Sequence, residues 1–222
     1  MKRRDLGLAA LFLGLVGLVQ AAQAGYIHAK AALAQVLIRH AWVEAGKGHG
    51  SPRPWPWADT NPVARLGAPS QGADLMVLEG ASGRTLAFGP GHVTGTARPG
   101  GRGNVVIGGH RDTHFSFLKD LKRDERLWLQ AANGEVIDYV VVSLDVVDHQ
   151  RGDLQRDFGD DRLTLITCYP FDAVRPGGPE RYVVTAIRCG GLGDRQDCPP
   201  EPPGSRSSPF AMPVVRFCST RR

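Results

Sequence analysis

The sequence has no Cys-x-x-Cys pair and no run of cysteine and histidine at the spacing of a structural zinc site, so a zinc-built domain is excluded. Its four cysteines are Cys168, Cys189, Cys198 and Cys218, which argues against a disulfide scaffold as the basis of the fold. Cys168 stands alone in apolar sequence, whereas the other three lie in or beside a Pro/Gly-rich tail, where pairing is open to them in an oxidising compartment. A block of one charge sign is also missing: 27 Lys and Arg face 22 Asp and Glu, and the basic residues are scattered over the N-terminus, the loops and the tail. Aromatic residues do not alternate with basic ones, so the stacking pattern of single-strand binders is absent and nucleic acid is set aside as a partner. No internal repeat is evident. A chain of 222 residues has room for one domain of ~150 residues with an anchor and a tail.

What is present begins with Lys2, Arg3 and Arg4, followed by Leu6 to Ile27 without a charged residue, the length a helix needs to cross a bilayer core. The basic cluster favours a cytoplasmic N-terminus, which would place everything after Ile27 outside that membrane. Ala22-Gln23-Ala24 offers the competing reading of a cleaved signal peptide, and either reading exports the domain. The helical pattern continues through Leu33, Val36, Leu37 and Ile38 to Trp42 without a breaker, which favours the uncleaved anchor. The sequence therefore divides into a basic start, anchor and helical extension (1–43), a Pro/Trp/Gly linker (44–58), a domain (59–189) and a tail expected to be disordered (190–222).

Within the domain, short β-branched runs alternate with Gly, Pro, Asn and Asp. They are Val63–Leu66, Asp74–Leu78, Asn104–Gly108, Arg126–Gln130, Val136–Val147, Leu163–Thr167 and Tyr182–Ile187. This spacing predicts an all-β barrel or sandwich. Asn133-Gly134 signals a hairpin, and Thr113 to Leu121 is expected to form one short helix with Phe115, Leu118 and Leu121 inward.

Two strand ends carry chemistry. Leu163 to Thr167 ends in the thiol of Cys168, followed by Pro170, which stops the ladder. A side chain at such an end reaches solvent while the strand holds its backbone, although an inert buried cysteine is the commoner fate of a strand thiol. Val105-Val106-Ile107 similarly runs through Gly108-Gly109 to His110, Arg111 and Asp112, and Arg181 opens the last strand. Acyl transfer needs a thiolate to attack the carbonyl, an imidazolium to protonate the leaving amine and a cation to meet the oxyanion. Cys168, His110 and Arg181 supply those three types. Arg175 competes for the last role but lies in a loop, Asp112 is a candidate to orient His110, and Arg111 reads as a salt-bridge partner.

Thr164-Leu165-Ile166-Thr167-Cys168 resembles the Thr-Leu-x-Thr-Cys signature of the sortase family, and Gly109-His110 and Arg181 match its histidine and arginine in order. Pro54 to Thr60, Gly91-His92 with Gly95-Thr96, Gly109 to Phe115, and Cys168 to Ala173 are similar to the sortase class of Gram-negative bacteria, so the resemblance covers roughly residues 25–188. It implies a closed eight-stranded β-barrel with short helices behind a transmembrane helix, on the periplasmic side of the inner membrane. It further implies cleavage of a Leu-Pro-x-Thr-Gly-like sorting signal, a thioacyl intermediate on Cys168 and transfer to an amine acceptor, with Thr167, His92 and Asp112 toward the substrate.

Two rival functions stand beside this one. An exported cysteine peptidase or L,D-transpeptidase-like hydrolase would use the same Cys and His, although the Ser-His-Gly-x-x-Cys arrangement of the latter is missing. A non-enzymatic, tethered β-barrel binding module would need neither. His110 and His114 have the separation of zinc ligands on a helix, but His110 ends a strand and no third ligand is placed, so no metal or cofactor is assigned.

Overall fold

The computed structural model describes residues 3–47, 50, 52–148, 160–173 and 177–189, and of residues 3–11, 24, 27 and 28 the backbone alone. Arg175 and the 190–222 tail lie outside the described residues. A long helix, α1 (Arg3–Gly46), precedes eight strands: β1 (Pro62–Ala68), β2 (Ala73–Glu79), β3 (Gly91–His92), β4 (Asn104–Gly108), β5 (Arg126–Ala131), β6 (Val136–Asp148), β7 (Arg162–Cys168) and β8 (Glu180–Arg188). A one-turn helix, α2 (Gly83–Leu86), starts at Ser82, whose Oγ accepts the Thr85 N–H.

The strands close into a barrel in the order β1-β2-β3-β4-β7-β8-β6-β5. Two neighbouring pairs, β2 with β3 and β4 with β7, are parallel, and the others are antiparallel. Period-two alternation explains the interior: Ala64 and Leu66, Val105 and Ile107, Leu127 and Leu129, Ile137, Tyr139 and Val141, Leu163 and Leu165, Val184 and Ala186 all point into one buried core. Closure leaves no edge strand to pair with another chain.

The seven strands read from β-branched runs are all present, with ends agreeing to within two residues. β3 lies outside those runs because its two residues, Gly91 and His92, carry no β-branched pattern; its pairing with Leu78, Glu79, Ile107 and Gly108 is what makes it a strand. Asn133-Gly134 does form the β5–β6 hairpin. Gly134 sits at φ 87°, its N–H donates to Ala131 O, and the Asn133 side chain accepts the Glu135 N–H. The helix expected over Thr113–Leu121 is a shorter 3₁₀ turn, Ser116–Lys119, with Phe115, Leu118 and Leu121 buried as the pattern requires.

The end of α1 packs beside β1 through Ala34, Ile38, Ala41 and Ala45, spaced along one face, and Gln35 Nε2 donates to Phe88 O at 2.7 Å. Earlier in the helix, Phe12, Leu13, Leu15, Val16, Leu18 and Val19 are exposed around the circumference with no single apolar stripe. Among the described residues no helix is long and apolar enough to cross a membrane. The expected linker is folded at its far end: Trp55 meets Phe88 edge-on at 5.3 Å and Ala58 N donates to Trp55 O.

A side chain at Gly91 would overlap the carbonyl oxygen of Gly80, a backbone atom that cannot step aside. Gly91→Ala is expected to lower stability by about 1–3 kcal/mol, measured by chemical denaturation.

Candidate active site

β4 and β7 run parallel with Gly108 beside Ile166, and the ladder extends one bond further as Gly109 N donates to Ile166 O at 3.0 Å. Following that register, His110 comes level with Cys168. On its other side β7 is antiparallel to β8, where Cys168 is directly opposite Arg181. Residues opposed in this way share a face, with Cβ atoms about 4.5–5.5 Å apart. Leu163 and Leu165 point into the core, so Cys168, odd by one from Thr167, faces outward with Arg181.

Three chemical functions thus meet at one rim of the barrel. Cys168 is half-buried and is the free cysteine among the described residues. His110 is exposed, and its carbonyl is fixed by the N–H groups of Thr113 (3.4 Å) and Phe115 (3.0 Å). Gly109 is required for this turn because a Cβ there would stand 2.7 Å from the Phe115 ring. The Arg181 guanidinium donates through Nη1 to Gly178 O (2.6 Å) and Glu180 O (2.8 Å), while among the described residues Nε and Nη2 have no partner. Those two donors are available to an anion arriving at the rim.

The other residues singled out in the sequence take different places. Thr167 is 2% exposed and donates from Oγ1 to Gly109 O at 2.8 Å, so it ties β7 to the end of β4 and is not open to a substrate. His92 is 4% exposed; Nε2 lies 2.9 Å from Ala97 O and 3.1 Å from Thr96 Oγ1, which makes it a staple of the following turn rather than a residue turned toward a substrate. Asp112 is exposed and pairs with Arg111 Nε at 3.3 Å. The sequence reading missed the main role of Arg111, whose buried guanidinium also reaches Pro170 O and Ala173 O. Nothing in the local sequence signals those partners, which lie across the barrel rim.

His114, whose spacing from His110 is that of zinc ligands on a helix, neighbours His110 in the fold. Burial, and secondarily the charge of His110, push its imidazole down to about 4 from the usual 6.5, and Thr113 Oγ1 lies 3.3 Å from its Nδ1. It is therefore neutral near pH 7. Cys189 is disulfide-bonded.

Two outcomes follow. Between pH 6.5 and about 4 the unfolded chain protonates His114 and the native chain does not, so stability falls as pH drops through this window and levels off below it. The loss attributable to this group is at most about 3 kcal/mol, and His114→Phe should flatten that part of the curve in urea titrations at stepped pH. Thr167→Val leaves the buried Gly109 carbonyl without its hydroxyl partner and should cost about 1–3 kcal/mol in the same assay.

The family model for the sortase domain matches residues 66–188. Sortase D of Bacillus subtilis is 34% identical over 126 residues, covering 55% of this chain and 62% of that protein. The chain spans about three fifths of the length of the curated relatives it matches. Among solved structures, sortase C-1 from Actinomyces oris superposes with a TM-score of 0.51 at 33% identity, covering 58% of this chain and 74% of that one. Sortase A from Corynebacterium diphtheriae gives 0.54 at 26% identity, covering 75% and 87%. With more than half of the chain matched by the family model, on a closed barrel whose rim holds a cysteine between a histidine and an arginine, this chain belongs to the sortase family.

Proposed function

We propose that the chain is a membrane-tethered cysteine transpeptidase that cleaves a Leu-Pro-x-Thr-Gly-like sorting signal and passes the acyl group to an amine acceptor. The observation that carries this reading is the register of three strands, which sets Cys168 opposite Arg181 with His110 alongside. The thiolate of Cys168 attacks the Thr carbonyl carbon, and negative charge moves onto its oxygen. The free donors of Arg181 face that charge where it develops, which is where electrostatic stabilisation lowers a barrier most. The C–N bond then breaks as the His110 imidazolium gives its proton to the departing amine, leaving a thioester on Cys168. An incoming amine loses a proton to His110, attacks the thioester and expels the thiolate, so the product is an amide.

The motifs from Gly109 to Phe115 and from Cys168 to Ala173 support the class from Gram-negative bacteria. Anchoring in the inner membrane is supported by Leu6 to Ile27, which carries no charge, and by apolar side chains exposed around α1 from Phe12 to Val19. An apolar helix without a polar face suits lipid better than water. The start of that run, 6–11, lies outside the residues whose side chains are described. A disulfide at Cys189 supports an oxidising, extracytoplasmic compartment for the domain.

The test is mass spectrometry of the full chain in detergent, incubated with a panel of Leu-Pro-x-Thr-Gly peptides with and without amines. A thioacyl adduct on Cys168 that becomes an amide when amine is added, and is lost in Cys168→Ala and His110→Ala, is the expected result. Arg181→Ala should keep an alkylatable thiol but slow acylation by about 10²–10³. A free acid as sole product with every amine would instead make the protein a cysteine peptidase. Absence of any adduct on a thiol that still alkylates rejects the assumed signal, and an inert thiol rejects the catalytic reading.

A further inference from the structure

We propose that Arg111 is a positioning residue, a clamp that holds the loop leaving Cys168 against the loop carrying His110. It follows His110 directly in the chain and is only 7% exposed. Nη1 donates to Pro170 O at 2.8 Å and Nη2 to Ala173 O at 2.7 Å, while Nε donates to Asp112 Oδ1 at 3.3 Å. Ala173 N itself donates to Pro170 O at 3.4 Å, so the two carbonyls taken by the guanidinium mark the two ends of one turn. That turn is the continuation of β7 beyond the nucleophile.

The geometry gives this contact an effect on the site. The β4–β7 ladder gives out at Gly109 N to Ile166 O, and Thr167 Oγ1 to Gly109 O adds one more tie. His110 and Cys168 come next, past the last bond between these two strands, and Arg111 joins the segments that follow them, while Cys168 stays paired with β8 and Tyr169 N donates to Glu180 O at 3.1 Å. On the far side of His110, its carbonyl is held by the N–H of Phe115, whose ring is fully buried. The imidazole is thus carried on a segment braced by the core on one flank and by the guanidinium on the other. Release of the second brace lets the His110 segment move relative to the strand-held Cys168 without disturbing the barrel core.

The residue type matters as much as its charge. A guanidinium is a rigid planar fork that reaches two acceptors at once, whereas an ammonium is a single point at the end of a flexible stem. Lysine at this position keeps the cation and cannot hold both carbonyls in the same way. Arg111 donates to backbone carbonyls rather than to reacting atoms, so its contribution passes through the relative placement of His110 and Cys168, where small misplacements are costly.

The consequence for turnover rests on the transpeptidase reading above, but the clamp is measurable without it. In the full chain in detergent, Arg111→Lys and Arg111→Gln are compared with the parent in thermal melts, in the rate of Cys168 alkylation by iodoacetamide at pH 7, and in kcat and KM with a Leu-Pro-x-Thr-Gly peptide and an amine. The expected result is a cooperative melt in both variants, an alkylation rate displaced toward that of His110→Ala, and a fall of roughly 10–100-fold in kcat with KM little changed. A folded Arg111→Lys chain with the parent's alkylation rate and kcat overturns the proposal. Failure of both variants to fold also overturns it, because the arginine then serves the fold and not the site. Should no peptide acylate the parent, the transpeptidase reading fails on its own while the alkylation rates still decide the clamp; a parent thiol that does not alkylate at all overturns both.

Discussion

Everything at the rim depends on one parallel pairing, that of β4 with β7. Parallel neighbours end at the same end of the sheet, so the residues that follow them emerge side by side. That is how His110 and Cys168, far apart in sequence, come level with each other. The antiparallel partner β8 begins at that same end, which brings Arg181 opposite the thiol at the moment its strand starts. A hairpin-only barrel would bring strands to the rim in alternating directions and could not place the ends of β4 and β7 together.

The polar groups under the rim serve this arrangement by satisfying backbone that the ladder cannot reach. Thr167 takes the Gly109 carbonyl, and Arg111 takes those of Pro170 and Ala173. A buried carbonyl left without a donor costs as much as a lost hydrogen bond, so each of these side chains holds a loop where the strand pattern has stopped. The signature threonine before the cysteine is therefore read most directly as a structural tie. Its inward direction is forced by alternation, since the residue beside it must face out for its thiol to meet a substrate.

The long helix has two characters along its length. Its last turns present small residues at helical spacing to the barrel, and Gln35 fastens them to Phe88, while its earlier turns expose apolar side chains in every direction. A helix that packs on a domain needs only one apolar face, and the barrel uses only the one at the end of α1. The Trp55 and Phe88 contact draws the chain after α1 back onto the same region as Gln35.

Seven of the strands, the hairpin at Asn133-Gly134, the inward set Phe115, Leu118 and Leu121, and the position of His110, Cys168 and Arg181 at strand ends were legible in the sequence. Their signals are local: β-branched alternation, turn chemistry, and a reactive side chain set just past an apolar run. β3 was not legible, because two residues without a pattern become a strand only through the partners on either side. Nor were the places of Thr167 and Arg111, which partners distant in the chain fix, or the burial of His92 and the depressed basicity of His114, which packing fixes. The sequence by itself determined seven of the eight strands and which side-chain types stand at their ends. The tertiary structure alone decided which polar side chains face the rim and which are spent holding its loops, because hydrogen-bond partners far apart in the chain exist only once the barrel has closed.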